Sequence, residues 1–151
     1  MELDEKDKNA IVEIVASKYF SKQDWKWISL KKGVDRIYRA FEDLEDQYNK
    51  YPYMSRDWYV ENSSTKNIHM CTKWNELKDL VDFLMANSQY FDFLVYDNKK
   101  MLCITTTSDI LSVEQKNAIS LARQLRYNVF VFRATIPEHI EFELSQIGGG
   151  M

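Results

Sequence analysis

Residues 90–134 read YFDFLVYDNKKMLCITTTSDILSVEQKNAISLARQLRYNVFVFRA. This segment predicts a strand, a turn, a second strand, a helix and a third strand in succession. Residues 91–96 form an almost uninterrupted apolar run, which is typical of a strand buried on both faces. Asp97 and Asn98 favour a tight turn because their side chains bond their own backbone. Residues 101–106 are rich in β-branched side chains, so we expect a second strand antiparallel to the first.

The helix that follows has its own start signal. Ser112 can cap a free backbone N–H, and Gln115 can reach back to complete a capping box. Residues 129–132 form a third apolar strand. A strand, a helix and a strand in this order imply a crossover and a parallel pairing inside a covered sheet. The helix has an apolar stripe at helical spacing, which we expect to be buried: Ala118, Ile119, Ala122 and Leu125.

Three short motifs give this segment a family likeness: Phe91-Asp92 before the first strand, SVEQ at residues 112–115, and VFVFR at residues 129–133. The segment resembles the core of the restriction-endonuclease-like PD-(D/E)XK nucleases, especially the archaeal Holliday-junction resolvases and the VRR-NUC domains. The resemblance implies an α/β fold with a restriction-endonuclease-like core, in which a mixed central sheet is flanked by helices. It also implies an Asp at the first hairpin strand, which is Asp92 here, and a Glu-x-Lys motif at the second.

The Glu-x-Lys motif is absent, because Thr105, Thr106 and Thr107 occupy its position. In such nucleases the two carboxylates hold a divalent cation, and the lysine activates water or stabilises developing charge. We therefore expect a nuclease-like protein with a degenerate active site, acting as a non-catalytic nucleic-acid-binding or protein-interaction module without a cofactor. Asp92 is the candidate catalytic residue. Its simpler interpretation is a strand-end carboxylate bonded to a backbone N–H, and the threonines are also ordinary strand residues.

The helix after the hairpin carries a polar and basic face. Lys116, Ser120 and Arg123 recur at i, i+4 and i+7, and this face could contact a phosphate backbone. A solvated helix face is the other interpretation. The predicted nucleic-acid-binding residues on the hairpin and helix are, in full, Thr105, Thr107, Gln115, Lys116, Ser120 and Arg123.

Two alternative functions stay open at this point. The chain could be an active, Mg²⁺-dependent DNA or RNA endonuclease whose missing carboxylate has migrated in sequence. It could also be a small viral or plasmid regulatory protein that binds a protein partner or forms a homodimer. The carboxylates considered for the migrated ligand are Glu76, Asp79, Asp82, Asp109 and Glu114.

The composition of the 151 residues is that of a folded domain, with 45% hydrophobic and 28% charged residues. We expect one domain over residues 1–147, with a helical part at 1–50, an α/β core at 57–147 and a flexible tail at 148–151. The net charge of −3 provides no general basic field for nucleic acid. Met1 is followed by acidic residues and no apolar run reaches 18 residues, so we expect an intracellular protein, cytoplasmic for example, without a membrane partner.

The N-terminal part predicts two helices. The first covers residues 4–20 behind an Asp4 cap, with Lys8 and Glu13 on its outer side. The second runs from a Ser29 cap to about Lys50, and the basic residues in its first half oppose the helix dipole. That opposition suggests tertiary or partner contacts, although a solvated face is equally ordinary. The apolar stripe expected to bury the first helix consists of Ala10, Ile11, Ile14 and Val15.

The remaining assignments concern two tryptophans, three strands, one helix and the two cysteines. Trp25 and Trp27, among lysines at residues 21–28, either anchor the turn between the two helices or stack on single-stranded nucleic acid. Residues 57–61 and 67–72 are predicted strands, and His69 in the second is a structural residue. Asn75 caps a further helix, and residues 140–144 alternate as a final half-exposed strand. The two cysteines, Cys71 and Cys103, are expected to be buried free thiols, with no zinc-binding spacing.

Overall fold

The computed structural model describes residues 1–63, 71–97 and 99–146. These residues form an α/β fold of five α-helices and one four-stranded mixed sheet. The helices are α1 (Glu5–Lys22), α2 (Leu30–Lys50), α3 (Arg56–Glu61), α4 (Trp74–Asn87) and α5 (Val113–Gln124). The strands are β1 (Lys26–Ser29), β2 (Phe93–Tyr96), β3 (Lys100–Thr106) and β4 (Asn128–Arg133), and a 3₁₀ turn at Ser88–Tyr90 leads from α4 into the sheet.

The sheet order is β1-β2-β3-β4. The pairs β1/β2 and β2/β3 are antiparallel, whereas β3 and β4 are parallel. Helix α5 makes the crossover between the two parallel strands, and it begins with the predicted capping box of Ser112 and Gln115. The predicted hairpin and the predicted parallel pairing are therefore both confirmed.

Both faces of the sheet are covered, which is why all four residues of β2 are buried. On one face, Ala16 and Phe20 of α1 pack against Phe93, Val95 and Cys103. On the other face, helices α2, α4 and α5 enclose the larger core cluster. Gly33 allows α2 to lie close to β1, because a Cβ at this position would collide with Cγ2 of Ile28. That larger cluster includes Ile37, Leu80, Leu94, Leu102, Ile104 and Ala118.

The predicted buried stripe of α1 is wrong. Ile14 and Val15 are 56% and 42% exposed, and the helix instead buries Lys8, Val12, Ala16 and Phe20. The ring of Phe20 packs edge-on against the aromatic rings of β2 and β4, and this contact determines the rotation of the helix. Lys8, which we expected outside, is buried and contacts Glu138 at 2.6 Å.

The tryptophans at residues 25 and 27 have the anchoring role. Trp25 stacks on Phe20, while Trp27 packs edge-on against Phe93 and donates from Nε1 to Ser21 Oγ at 3.1 Å. The connection is more than a turn, because Lys26–Ser29 forms the edge strand β1, which we did not predict.

Three further predictions are wrong. Residues 57–61 belong to helix α3 and not to a strand. Residues 141–146 have no regular structure, and Leu144 is 93% exposed, so the final strand does not form. Helix α4 begins at Trp74, with Lys73 and not Asn75 at its N-cap. A fourth wrong prediction concerns Leu125, which directly follows α5 and is half exposed although we expected it in the buried stripe.

Some assignments lie outside the described residues: most of the strand predicted at 67–72, with His69, the turn residue Asn98, and the tail at 148–151. The two cysteines, Cys71 and Cys103, are buried thiols, as predicted. Burial raises the pKa of the Cys71 thiol to about 12 and raises that of Cys103 further. Within the described part of the chain, no helix combines the length and apolarity needed to cross a bilayer.

Candidate functional site

Asp92 lies at the entrance to β2 and is held there by its backbone. Its N–H donates to the Cys103 carbonyl at 2.8 Å, and its own carbonyl accepts from the Leu30 N–H at 2.9 Å. Its carboxylate oxygen Oδ2 accepts two hydrogen bonds from Thr105, one from the backbone N–H at 2.7 Å and one from Oγ1 at 2.9 Å. The simple structural role predicted for Asp92, a bond to a neighbouring backbone N–H, is thus present. Oδ1 makes no hydrogen bond to Thr105 and faces other groups.

The charged side chains near Asp92 Oδ1 come from two helices, α1 and α2, on opposite faces of the sheet. Lys31, in the first turn of α2, places Nζ 3.8 Å from Asp92 Oδ1 and 2.5 Å from Oε1 of Glu13 in α1. The bond between Leu30 N–H and the Asp92 carbonyl fixes the start of α2 beside β2, which explains why Lys31 reaches this carboxylate. We call Glu13, Lys31, Asp92 and Thr105 the Asp92 cluster.

The charged groups of this cluster affect one another's protonation. Burial, followed by repulsion from Glu13, raises the pKa of Asp92, against the opposing effects of the Thr105 hydrogen bonds and of Lys31. The hydrogen bond to Glu13 raises the pKa of Lys31, so its ammonium stays charged. The Asp92 and Glu13 side chains are 18% and 25% exposed, whereas Lys31 is 61% exposed. The cluster is therefore open to solvent on the side of the lysine.

The residues that could hold a divalent cation here are Glu13 and Asp92. Glu13 Oε1 and Asp92 Oδ1 lie 2.5 and 3.8 Å from the Lys31 ammonium. Mg²⁺ is commonly held by one or two carboxylates, with water and substrate phosphate as further ligands. No group of three Asp, Glu, His or Cys side chains with metal-binding geometry occurs among the residues that the structure describes. A site here would accordingly rest on two carboxylates.

None of the five carboxylates that we considered for a migrated ligand is among the groups that interact with Asp92. Glu76 pairs with Lys100 at 2.6 Å, at the opposite end of β3 from Thr105. At roughly 3.3 Å per residue, those two strand positions lie about 17 Å apart. The additional carboxylate comes from Glu13, which sequence reasoning had placed on the outer side of α1.

The other predicted binding residues lie in three separate places. Gln115 accepts from the Ser112 N–H at 2.9 Å and is committed to the cap of α5. Lys116, Ser120 and Arg123 line one open groove of about 460 Å³ on α5, so the predicted polar-basic face exists as a continuous surface. Thr107 is half-buried after the end of β3 and has no contact with Asp92 among the described hydrogen bonds.

One sequence signal pointed towards the missed residues. The basic first half of α2 opposes the helix dipole, and this predicted tertiary contacts. Lys31 makes such contacts, with Glu13 and Asp92. Glu13 had no comparable signal, because its position depends on the rotation of α1.

Comparison of the chain with family models, with curated proteins and with solved structures finds no match.

Proposed function

We propose that this chain is a divalent-cation-dependent nuclease with a restriction-endonuclease-like core, and that the Asp92 cluster is its active site. One observation carries the proposal: the Lys31 ammonium lies within ion-pair distance of both Glu13 and Asp92. Glu13 and Lys31 supply the second carboxylate and the positive charge that the residues at the Glu-x-Lys position lack. The proposal is a form of the migrated-carboxylate alternative, but its carboxylate is Glu13 and none of the five that we considered from the sequence.

The local topology also supports the proposal. The family resemblance requires Asp92 and the Glu-x-Lys position to be neighbours across the hairpin, and Thr105 bonds directly to Asp92. It further requires a crossover helix leading to a parallel strand, and α5 and β4 are arranged in this way.

Each residue of the cluster has a role in this function. Glu13 and Asp92 would hold the cation, which when bound polarises the phosphate and lowers the pKa of a coordinated water. Thr105 donates twice to Asp92 Oδ2, which would leave Oδ1 available to hold the cation. Lys31 is the most exposed member, and its ammonium can turn from the carboxylates to the phosphate oxygens, where it stabilises negative charge that develops during cleavage.

The experiment is cleavage of labelled branched, duplex and single-stranded DNA and RNA in Mg²⁺ or Mn²⁺. Asp92→Asn and Glu13→Gln should each lower the rate by about 100-fold or more, because each removes one of two charged ligands. Lys31→Met should lower kcat without raising the metal concentration needed, because it removes a cation that competes for the same carboxylates. Glu42→Gln, which changes an exposed carboxylate of α2, is the control. Cleavage by Glu13→Gln at the wild-type rate would contradict this assignment.

A non-catalytic binding module is the second candidate, and one observation favours it. The ammonium of Lys31 already compensates both carboxylates, while Lys116 and Arg123 line a groove suited to a phosphate backbone. Binding of nucleic acid without cleavage in Mn²⁺, weakened by Lys116→Ala and Arg123→Ala, would support this function. Absence of binding to every nucleic acid across salt concentrations would leave a protein partner or a homodimer.

A further inference from the structure

A polar cavity lies at the C-terminal end of α2, the end opposite to Lys31. It has a volume of about 300 Å³ and is bounded by the last turns of α2, the start of α3 and the first turns of α4. Lys31 and Glu45 are separated by 14 positions of one helix, which at 1.5 Å per residue amounts to about 21 Å. This cavity, which we call the Arg56 pocket, is therefore separate from the Asp92 cluster.

The guanidinium of Arg56 is oriented by aromatic rings. Its Cζ lies 4.4 Å from the centre of the Tyr48 ring and 5.9 Å from the centre of the Trp74 ring. Trp74 is buried and Tyr48 half-buried, so the rings form a fixed wall. A cation held by its flat face against such a wall keeps its N–H groups directed outwards at the edge. The pocket is thus lined by a pre-oriented planar donor.

The positive charges of the pocket have no carboxylate partner within the described parts of the chain. Arg56 and Lys78 both line the cavity, and neither forms an ion pair with any described Asp or Glu. Glu45 lines the same cavity, but it lies beyond ion-pair distance of both cations. The three lysines of the described ion pairs are, by contrast, Lys8, Lys31 and Lys100.

We propose that the Arg56 pocket binds a phosphate monoester. Such a group carries a charge between about −1.5 and −2 at neutral pH and accepts several hydrogen bonds, which matches two cations and the side-chain amides of Asn49 and Asn75 in the lining. The two cations attract a dianion more strongly than a singly charged phosphodiester, and Glu45 offsets part of this attraction. The phosphate could belong to a free nucleotide or to the 5′ end of a nucleic-acid strand. This inference does not depend on the proposed nuclease function.

The test is calorimetric titration of the full chain in EDTA, which prevents metal-dependent cleavage. The probes are thymidine 5′-monophosphate against thymidine, and a 5′-phosphorylated hexanucleotide against the same strand with a 5′-hydroxyl. In at least one pair, the phosphorylated probe should bind about tenfold or more tightly than the unphosphorylated one. The reason is that the probe without phosphate cannot make charge-assisted bonds to the two cations. A gain in the first pair alone identifies a free nucleotide, and a gain in the second identifies a strand end.

Variants then locate the binding. Lys78→Met and Arg56→Lys should each weaken binding of the phosphorylated probe about fivefold or more, the latter because lysine lacks the planar donor edge. Glu45→Gln should strengthen it roughly two- to fivefold by removing a like charge. Lys18→Met, which changes an exposed lysine of α1, is the control, and circular dichroism verifies the fold. No phosphate-dependent gain in either pair, or binding unchanged in Lys78→Met and Glu45→Gln, would overturn the proposal.

Discussion

At the residue scale, Asp92 is a carboxyl group that the folded protein resists charging. Burial and the nearby Glu13 raise its pKa above the ordinary value of 3.8, despite two hydrogen bonds from Thr105. A group whose pKa is raised on folding binds its proton more tightly in the folded state. The stability of the folded state therefore decreases as pH rises from the ordinary Asp range through the raised pKa. At neutral pH the charged Asp92 is thus destabilising, a cost that is common at active sites and fits the role proposed for it.

The substitution Asp92→Asn tests this conclusion. Asparagine retains an acceptor for Thr105 and places a neutral donor towards Glu13, so the free energy of unfolding should increase by roughly 0.5–2 kcal/mol at pH 7. The gain should shrink at about pH 3, where aspartic acid is itself largely protonated in both states. Urea unfolding of both proteins at the two pH values measures the difference. A variant less stable than the wild type at pH 7 would show that charged Asp92 stabilises the fold.

At the scale of elements, α4 depends on a cap from outside its own sequence. Its N-cap residue, Lys73, has no capping side chain, and the Trp74 N–H instead donates to Asp57 Oδ1 of α3 at 2.8 Å. A cap that lies 17 residues away in the chain leaves no local signal, which is why we placed the start of α4 at Asn75. Residues 57–61 looked like a strand because Trp, Tyr and Val have high strand propensity.

The cross-chain cap leads to a stability prediction. Asp57→Ala should lower the free energy of unfolding by about 1 kcal/mol, within the range of roughly 0.5–2 kcal/mol for a lost helix cap. Lys73→Ala, at the formal N-cap position, should change it by less than about 0.5 kcal/mol because its side chain makes no capping bond. Chemical denaturation of the two variants in parallel provides the measurement. Equal effects would mean that Asp57 does not cap α4.

Elements with a complete local signal could be predicted from the sequence. The apolar runs of β2 and β4 and the Ser112 capping box each lie within a few residues, and the structure confirms them. Edge strand β1 and the rotation of α1 could not be predicted, because both depend on packing against distant residues. Of the Asp92 cluster, only Asp92 and Thr105 were identified, since they are the members that belong to the hairpin itself.

At the scale of the whole molecule, the Asp92 cluster lies where three layers meet. Glu13 comes from the helix on one face of the sheet, Lys31 from a helix on the other face, and Asp92 with Thr105 from the sheet between them. No two members from different layers are close in sequence. The geometry of the candidate site therefore depends on how α1 is docked, and that docking depends on the aromatic contacts of Phe20.

Two substitutions in α1 test this docking directly. Phe20 is fully buried, so Phe20→Ala should lower the free energy of unfolding by about 3–5 kcal/mol, as expected for a large aromatic side chain in a core. Ile14 is more than half exposed, and Ile14→Ala should change it by less than about 0.5 kcal/mol. Urea denaturation followed by both tryptophan fluorescence and circular dichroism measures the two effects. If Ile14→Ala lowers the free energy of unfolding as much as Phe20→Ala does, then α1 buries the stripe predicted from its sequence. Glu13 would then point away from Asp92, and the proposed active site could not form.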